Sequence, residues 1–492
     1  MAIGLFTGSK AEFSPLVGFL GWSAFFALLL VAQAWIALQG PISGAMVAAQ
    51  VVLGIAGLTW ALGARAVLRG ARTGPPLGWI ALGAVALRLV ALAGDAGLSD
   101  DPYRYAFEGA LVLEGEDPYG PPPADPERSD QRAAWPEVAA GVNHPEVRAA
   151  YPPLMQLSAA LVVACVGSVE PAGPVLFGFR VFYGLCDLLC LIPLAILAGS
   201  GRSARRAAWL VWGWCPLLPL VFAGTGHFDA LGVLLLLGGL AAWRRAPSLG
   251  REVLGGVLVG AGVLTKFLPV IALAGRPSRG SWASRGSWAS GRAWAVRAIV
   301  VVATGVLGTT LLPAVLGWSS PFGGGLQDYG LRWESSSAVF RWIEPWFESD
   351  GWFGPDGLVP FAGEGDGGLR DPRRLSRAVA GALFLGVAAS CWLRRLEATR
   401  ATAVCTVAFA LLSPTLHPWY LVWSLAPAAI APTRTALWMA ATAPTLYWPL
   451  AGWAERSEWT EASWLWPVVM LPAMLLAMFD VWRPWPSLAD RR

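Results

Sequence analysis

Charged residues are scarce in this sequence. Only 14% of the 492 residues are Asp, Glu, Lys or Arg, whereas 55% are hydrophobic, and the mean hydropathy is +0.53. Because soluble domains carry about 25% charged residues, this composition excludes a soluble globular protein and indicates a chain that lies in a lipid bilayer. The net charge of +4 is small and spread along the chain, which gives no case for nucleic-acid binding.

Cysteine is also rare, and its placement excludes two further classes. All six cysteines fall in apolar stretches, namely Cys165, Cys186, Cys190, Cys215, Cys391 and Cys405. Such positions suggest neither an extracellular disulfide framework nor a zinc site. We interpret these cysteines as small apolar residues of membrane helices. The sequence contains no P-loop and no dinucleotide-binding fingerprint.

Long apolar runs are abundant, by contrast. A helix needs about 20 apolar residues to cross a bilayer. The first apolar run is too long for a cleavable signal peptide, and we interpret it as a retained helix. Two runs, Pro152–Val169 and Val253–Ala274, are ambiguous, and we interpret them as half-length or re-entrant helices. The sequence thus predicts one all-α transmembrane domain over residues 1–492, a bundle of roughly 12–14 membrane helices. The twelve clearer runs are Pro15–Leu38, Ile42–Leu62, Leu77–Ala93, Val175–Ala198, Ala207–Phe222, Ala230–Trp243, Ala295–Leu316, Ala378–Leu393, Ala401–Leu412, Trp419–Ala431, Thr435–Leu450 and Trp464–Val481.

Arginine placement orients these helices, because the only lysines are Lys10 and Lys266. Short basic loops are typical of the cytoplasmic side. Residues 276–297 are also basic and contain the hexapeptide RGSWAS twice, which we interpret as a cytoplasmic linker without chemistry. The four short basic loops lie at residues 65–72, 202–206, 244–251 and 394–400.

Two longer polar segments carry the opposite charge. Residues 100–150 contain 11 acidic residues against 4 arginines, and residues 318–375 contain 9 against 5. We therefore predict two non-cytoplasmic loops, at residues 98–151 and 318–375. Alternating crossings then place both termini in the cytoplasm with about 12 spans, provided that neither ambiguous segment crosses the membrane.

An aspartate pair opens the first loop. Asp100 and Asp101 begin the string SDDPYRYAFEGALVLEGEDPYG at Ser99, directly after a predicted membrane helix. Carboxylates at the membrane boundary can act as a general base, bind a cation, or cap the N-terminus of a helix. Taken alone, the pair leaves these roles open.

The three histidines favour a functional role for the aspartate pair. His144, His227 and His417 each lie near a predicted non-cytoplasmic helix end. A single interfacial histidine needs no function, but three on one face opposite two carboxylates favour a shared site. They are too dispersed in sequence to indicate a metal-ligand cluster.

Other polar residues allow two interpretations each. Lys266 lies within an apolar stretch, where a charge is costly enough to suggest a function such as phosphate binding, although a lysine can also extend to the interface. The string QDYGLRWESSSAVFRW at residues 327–342 suits a sugar-binding surface or an amphipathic helix on the membrane. Arg180 and Asp187 are seven residues apart, and we expect them to form an ion pair on one helix face.

In this order, the motifs resemble the GT-C glycosyltransferases, and most closely the bacterial polyprenyl-phosphate-mannose-dependent mannosyltransferases. The most specific likeness is SDDPYRY, then FEG, then GEDPYG. YPPLMQL, GHFDALG, LTKFLP and LHPWY follow in the order of that family. The likeness spans most of the chain. Pro102 stands where the family often has an aliphatic residue, so the register of the two aspartates is open by one position.

The resemblance implies transfer of a hexose, with mannose favoured, from a polyprenyl-phosphate donor to a lipid or glycan acceptor. The transfer would be inverting, at the non-cytoplasmic face of a bacterial plasma membrane. Asp101 would be the general base, with Asp100 as the alternative or an orienting neighbour. The resemblance establishes no cofactor, and the aspartate pair could hold a divalent cation. Candidates for binding the donor phosphate are Arg104, His227, Lys266 and His417. Candidates for binding the substrates are Tyr103, Tyr105, Glu108, Asp117, Tyr119, His144, Tyr151, Asp229, Trp333, Glu334, Trp419 and Tyr420.

A transporter or flippase of lipid-linked sugars would share this composition. Transporters place polar groups near the bilayer midplane and show symmetry between their halves; here most ionisable residues gather at helix ends, and we find no such symmetry. A membrane acyltransferase or polysaccharide polymerase that uses a loop histidine is a further alternative, but it leaves the aspartate motif unexplained.

Overall fold

The computed structural model describes residues 15–70, 74–95, 97–245, 248–277, 287–359, 362–363, 368–456 and 458–488. Over these residues the chain is a helical bundle without β-strands, which confirms the predicted all-α fold. The first RGSWAS copy and the start of the second lie outside the described residues. The α-helices are α1 Pro15–Gln39, α2 Met46–Leu68, α3 Leu77–Leu92, α4 Asp101–Leu113, α5 Ser129–Ala134, α6 Pro136–Gly141, α7 Pro153–Val166, α8 Ala172–Leu189, α9 Leu191–Ala198, α10 Arg202–Gly213, α11 Asp229–Arg244, α12 Leu249–Val263, α13 Ser287–Val301, α14 Leu307–Leu316, α15 Gly325–Arg332, α16 Phe340–Ile343, α17 Pro372–Leu393, α18 Ala398–Leu412, α19 Leu421–Ala428, α20 Arg434–Thr442, α21 Pro449–Arg456 and α22 Leu471–Trp482.

Some helices are long and apolar enough to cross a bilayer by themselves. They expose large apolar side chains at the bundle surface, for example Val315 at 82% and Leu385 at 66%. Such exposure is expected where lipid, not water, surrounds a helix. The chain is therefore a membrane protein. Five stretches of the described residues meet the length and composition of a span, namely Leu20–Gln39, Met46–Leu68, Ala172–Ala198, Gly291–Leu316 and Pro372–Leu393.

The arginine-rich turns meet at one end of the bundle, which we call the basic end. The backbone N–H of Arg276 donates to the carbonyl of Leu396 (2.8 Å) in the turn between α17 and α18. Gly74, after α2, faces the side chain of Arg206 at the start of α10. Gly199, at the end of α9, faces Arg244 at the end of α11.

The two acidic loops meet at the opposite end, which we call the cavity end. The backbone N–H of Ser319 in the second loop donates to Asp117 of the first loop (2.7 Å). Helix α11 connects the two ends: Asp229 at its start contacts Lys266 (2.7 Å), and Arg244 at its end lies beside Gly199 at the basic end.

The first ambiguous segment stays at the cavity end. It forms α7, which follows the first loop directly. After α7, the side chain of Glu170 accepts a hydrogen bond from the backbone of Val138 (2.9 Å), and Glu137 accepts one from the backbone of Ala172 (2.9 Å). Both ends of α7 are thus fixed to the first loop.

The second ambiguous segment forms a hairpin. Its helix α12 starts at the basic end, where Arg251 donates to the carbonyl of Arg245 (2.6 Å), and leads to Lys266 near the cavity. The 3-10 helix Leu268–Ala274 then returns to Arg276 at the basic end. This path places a lysine at the tip of the hairpin.

The predicted ion pair between Arg180 and Asp187 is wrong. Asp187 pairs instead with Arg88 of α3 (Nε to Oδ2, 2.8 Å), and both side chains are buried. Arg180 donates to the carbonyls of Ala223 (2.9 Å) and Ala91 (2.7 Å). Seven residues of an α-helix span about 10 Å, so the two side chains reach different neighbours.

Candidate active site

A cavity of about 830 Å³ opens at the cavity end. Its walls come from both acidic loops, the tip of the α12 hairpin and the turn before α19. Twelve of the residues expected at the site line it: Asp100, Asp101, Tyr103, Arg104, His144, Tyr151, Lys266, Trp333, Glu334, His417, Trp419 and Tyr420. Six others do not line it: Tyr105, Glu108, Asp117, Tyr119, His227 and Asp229.

The aspartate pair is held by an asparagine. The side-chain amide of Asn143 donates to Oδ1 of Asp100 (2.8 Å) and to Oδ1 of Asp101 (2.9 Å). Asp100 occupies the N-cap position of α4, but its carboxylate makes no capping hydrogen bond. The hydroxyl of Ser99 accepts from the backbone N–H of Asp101 instead (3.3 Å). The carboxylates therefore face the cavity and not the end of their own helix.

The second oxygen of Asp101 points toward two buried side chains. The hydroxyl of Tyr105, one helical turn later, donates to Oδ2 (3.4 Å), and Nδ1 of His227 lies 3.7 Å from the same atom. Tyr105 and His227 thus lie behind Asp101, and their role toward a bound substrate is indirect.

Opposing effects set the pKa of Asp101. Burial raises this pKa to about 6, and the negative charge of Asp100 raises it as well. The hydrogen bond from Asn143 and the charges of Arg104 and Lys266 lower it. A carboxylate with a pKa near 6 is ionised at neutral pH, yet it is a better proton acceptor than an ordinary exposed aspartate.

Arg104 is occupied by the protein itself. Its guanidinium donates to the carbonyls of Asn143, His144 (2.8 Å) and Val147 (3.1 Å), and it lies 3.4 Å from the carboxylate of Glu108. The arginine therefore fixes the turn that carries Asn143 against α4. Arg104 therefore supports the aspartate pair, and its guanidinium is less available than a free side chain to bind a phosphate.

Lys266 brings a fixed positive charge to the cavity. Its ammonium lies 2.7 Å from Oδ1 of Asp229 and 4.1 Å from the centre of the Tyr420 ring. Asp229 is fully buried and also accepts a hydrogen bond from the indole of Trp423. Since 18% of the lysine side chain remains exposed, the ammonium can meet an anion without leaving Asp229.

Two histidines sandwich a tryptophan. The ring of Trp419 stacks on His227 (4.0 Å between centroids) and on His417 (4.6 Å). Burial, followed by the charge of Lys266, lowers the pKa of His417 to about 3, and the same causes lower the pKa of His227 well below its usual range. Both imidazoles are therefore neutral and can bind an anion only as hydrogen-bond donors.

The second loop contributes an aromatic wall. Helix α15 brings Tyr329 to the cavity, and the two residues that follow the helix, Trp333 and Glu334, line it as well. The hydroxyl of Tyr329 shares a hydrogen bond with that of Tyr420. The ring of Trp333 contacts His144 edge-on (4.9 Å). The string QDYGLRWE thus lines the cavity, which favours its interpretation as a sugar-binding surface.

The remaining expected residues lie behind the wall. Tyr119 donates to the carbonyl of Tyr151 (2.8 Å), and Asp117 accepts from the backbone N–H of Tyr119 (2.9 Å). Glu108 accepts from the amide of Gln156 (2.8 Å). These contacts support residues that do line the cavity.

Sequence reasoning missed several lining residues. Asn143 directly precedes His144, but nothing in the surrounding sequence marks it as a partner of the aspartates. Tyr329 lies inside the recognised QDYGLRWE string, and Trp453 and Trp459 belong to a tryptophan-rich segment before α22. Among the described residues, no group of three or more His, Cys, Asp or Glu side chains could hold a metal ion.

Two family profiles match the chain. Residues 18–276 match the profile described as alpha-(1->6)-mannopyranosyltransferase, N-terminal domain, and residues 372–481 match the MptB C-terminal domain. Neither the curated proteins nor the solved structures gave a significant match. The first profile alone covers more than half of the chain, and the resemblance to GT-C mannosyltransferases is confirmed. The chain therefore belongs to the alpha-(1->6)-mannopyranosyltransferase family and is a membrane glycosyltransferase.

Proposed function

We propose that the protein transfers mannose from a polyprenyl-phosphate donor to a hydroxyl of a lipid or glycan acceptor, with Asp101 as the general base. One observation carries this proposal: Asp101 lies on the cavity wall with a pKa of about 6, in a cavity that also contains the ammonium of Lys266. A base and a phosphate-binding cation in one cavity are the two groups that the reaction needs.

The reaction is a single displacement at the anomeric carbon. The acceptor oxygen attacks that carbon while its proton moves to a carboxylate oxygen of Asp101. The bond between the anomeric carbon and the phosphate oxygen breaks, and the lipid phosphate leaves with the electron pair. Inversion gives an α-linkage, the one in the family description, when the donor is β-linked.

Asp100 is assigned an orienting role. It shares the amide of Asn143 with Asp101, and its negative charge contributes to the raised pKa of its neighbour. Asp100 thus strengthens the base without accepting the proton itself.

Lys266 is assigned to the donor phosphate. Its charge neutralises the leaving group, and such interactions are strongest where water is excluded. His417, also at the cavity wall, donates a neutral hydrogen bond to the same phosphate. His227 and Arg104, first considered for this role, are assigned to positioning because their contacts lie within the protein.

The aromatic wall is assigned to the sugars. Tyr103, Tyr151, Trp333, Trp419 and Tyr420 all line the cavity. Aromatic faces stack on the C–H faces of sugar rings, and Glu334 and His144 can accept or donate hydrogen bonds to hydroxyls.

The distribution of arginine assigns each end of the bundle to a side of the membrane. The arginine-rich turns lie at the basic end, and short basic loops remain in the cytoplasm. The cavity end is therefore assigned to the non-cytoplasmic face, for a protein of the bacterial plasma membrane.

The test is a transfer assay with purified protein. We expect radiolabelled mannose to move from polyprenyl-phosphate mannose to α-(1→6)-linked mannose oligosaccharides, and Asp101→Asn to abolish this transfer. Undiminished transfer by the variant would overturn the assignment of the base. Absence of transfer with any hexosyl donor, together with translocation of the sugar lipid across vesicles, would favour a transporter.

A further inference from the structure

A groove lies beside the cavity, and two segments of the chain contribute residues to both spaces. It measures about 340 Å³, within the range of ligand pockets (about 300–1,000 Å³). Ser335 lines the cavity and the next residue, Ser336, lines the groove; likewise Trp459 lines the cavity and Glu461 lines the groove. The indole of Trp459 donates to the hydroxyl of Ser335 (3.1 Å), so the two wall segments are joined where the spaces adjoin.

Two tryptophans form one side of the groove. The rings of Trp342 and Trp466 meet edge-on, with centroids 5.3 Å apart. The indole of Trp466 is fixed by a hydrogen bond to the carbonyl of Ala338 (2.9 Å), whereas 54% of Trp342 is exposed. A fixed ring beside an exposed one gives an aromatic surface that a ligand can cover.

Polar groups form the other side. The carboxylate of Glu461 accepts a hydrogen bond from the backbone N–H of Ser336. The hydroxyl of Ser336 is buried and has no partner among the residues that the structure describes. Ser337 and Arg341 add a hydroxyl and a guanidinium. A buried hydroxyl without a partner is costly, and a ligand hydroxyl at this point would satisfy it.

We propose that this groove binds the acceptor glycan, at sugar residues beyond the one that reacts in the cavity. This inference rests on the proposed function and adds a binding site to it. Exposed aromatic area beside several hydroxyls, with one arginine and one glutamate, matches the alternating C–H faces and hydroxyls of a neutral sugar chain. A lipid chain would leave these polar groups unpaired, and a phosphate would meet the repulsion of Glu461.

The groove predicts a dependence on acceptor length. On this proposal a disaccharide is held in the cavity alone, whereas a hexasaccharide of α-(1→6)-linked mannose extends from the cavity into the groove. We therefore expect the wild-type protein to show a lower KM for the hexasaccharide. Trp342→Ala should raise that KM roughly tenfold while leaving kcat and the KM for the disaccharide unchanged.

A matched variant controls for loss of an exposed tryptophan. Trp346 lies on the same loop with 50% of its surface exposed, but it lines neither the cavity nor the groove, so Trp346→Ala should behave as wild type. Arg341→Ala provides a second test within the groove and should also raise only the KM for the long acceptor. Equal effects of Trp342→Ala and Trp346→Ala would indicate anchoring to the membrane and overturn the proposal.

A binding experiment without donor tests the groove independently of the proposed function. The dissociation constant of a fluorescent hexasaccharide is measured for wild type, Trp342→Ala and Trp346→Ala without any donor. Weaker binding by Trp342→Ala alone supports the groove, even if the transfer assay fails with every donor. Transfer by the wild type together with identical binding by all three proteins overturns the groove and leaves the proposed function standing.

Discussion

The side-chain amide of Asn143 donates to the carboxylates of both Asp100 (2.8 Å) and Asp101 (2.9 Å). One amide thus holds two negative charges side by side at the cavity wall. Arg104 binds the carbonyl of Asn143 and so fixes the turn that carries this amide. The chemistry assigned to Asp101 consequently depends on the residues that orient its carboxylate.

Asp101→Asn should reduce the rate of transfer far more than Asp100→Asn. A positioned general base contributes about 10²–10⁴-fold, and the amide of an asparagine cannot accept the acceptor proton. Initial rates at saturating donor measure the effect. Binding of the donor lipid should be retained in both variants, which shows that they are folded. Equal losses of rate would mean that the proton acceptor is not Asp101 alone.

The rate should depend on pH through Asp101. Since its pKa is raised to about 6, the carboxylate is ionised above that pH and becomes protonated as the pH falls through it. We expect kcat/KM to decline below about pH 6. The check is a pH profile of kcat/KM for the wild type, with protein stability measured at each pH.

Asn143→Ala should shift the midpoint of the kcat/KM profile to higher pH. The hydrogen bond from Asn143 lowers the pKa of Asp101, so its loss leaves the carboxylate protonated at higher pH. The comparison is between the midpoints of the two kcat/KM profiles. A lower plateau with an unchanged midpoint would show that Asn143 supports the shape of the site and not the ionisation of Asp101.

The difference between Asp101 and Asn143 shows what the sequence could predict. Asp101 follows an apolar run and precedes a recognisable motif, so its position at the membrane boundary is readable from local pattern. Asn143 lies 42 residues later, and only the folded first loop brings it to the aspartates. Local pattern therefore marks Asp101, the proposed base, but not Asn143, which orients it.

The phosphate-binding candidates illustrate a second limit. Sequence patterns mark Arg104 and Lys266 equally as cations near the non-cytoplasmic face. The structure distinguishes them, because the donors of Arg104 are taken by backbone carbonyls, whereas Lys266 has a single carboxylate partner and remains partly exposed. Whether a cation is bound by the protein itself or is available to a ligand depends on tertiary contacts. The spacing of residues in the sequence does not encode these contacts. The all-α fold itself was predictable, since long apolar runs indicate membrane helices.

Lys266→Met should slow transfer by about 10²–10³-fold if its charge neutralises the leaving phosphate. The single variant also leaves Asp229 buried without its cation, which is destabilising. The double variant Lys266→Met with Asp229→Asn removes both charges and should fold normally while remaining slow. Single-turnover rates with preloaded donor give the comparison. Recovery of the rate in the double variant would show that Lys266 serves only to neutralise Asp229.

The buried pair of Arg88 and Asp187 predicts an effect on stability without an effect on chemistry. Both side chains are 2% exposed or less, so Arg88→Met leaves an uncompensated carboxylate inside the bundle. Losing one partner of a buried pair costs about 3–5 kcal/mol, and the unfolding temperature in detergent should fall accordingly.

Replacing both partners, as Arg88→Met with Asp187→Leu, should recover most of this stability, because an apolar pair avoids the desolvation of two charges. Recovery should be incomplete, since Arg88 also donates to the backbone carbonyl of Gly213. Thermal unfolding followed by tryptophan fluorescence compares the three proteins, and transfer by the double variant should match the wild type at low temperature. A double variant as unstable as the single one would mean that the hydrogen bond to Gly213, and not the ion pair, holds α3 against α10.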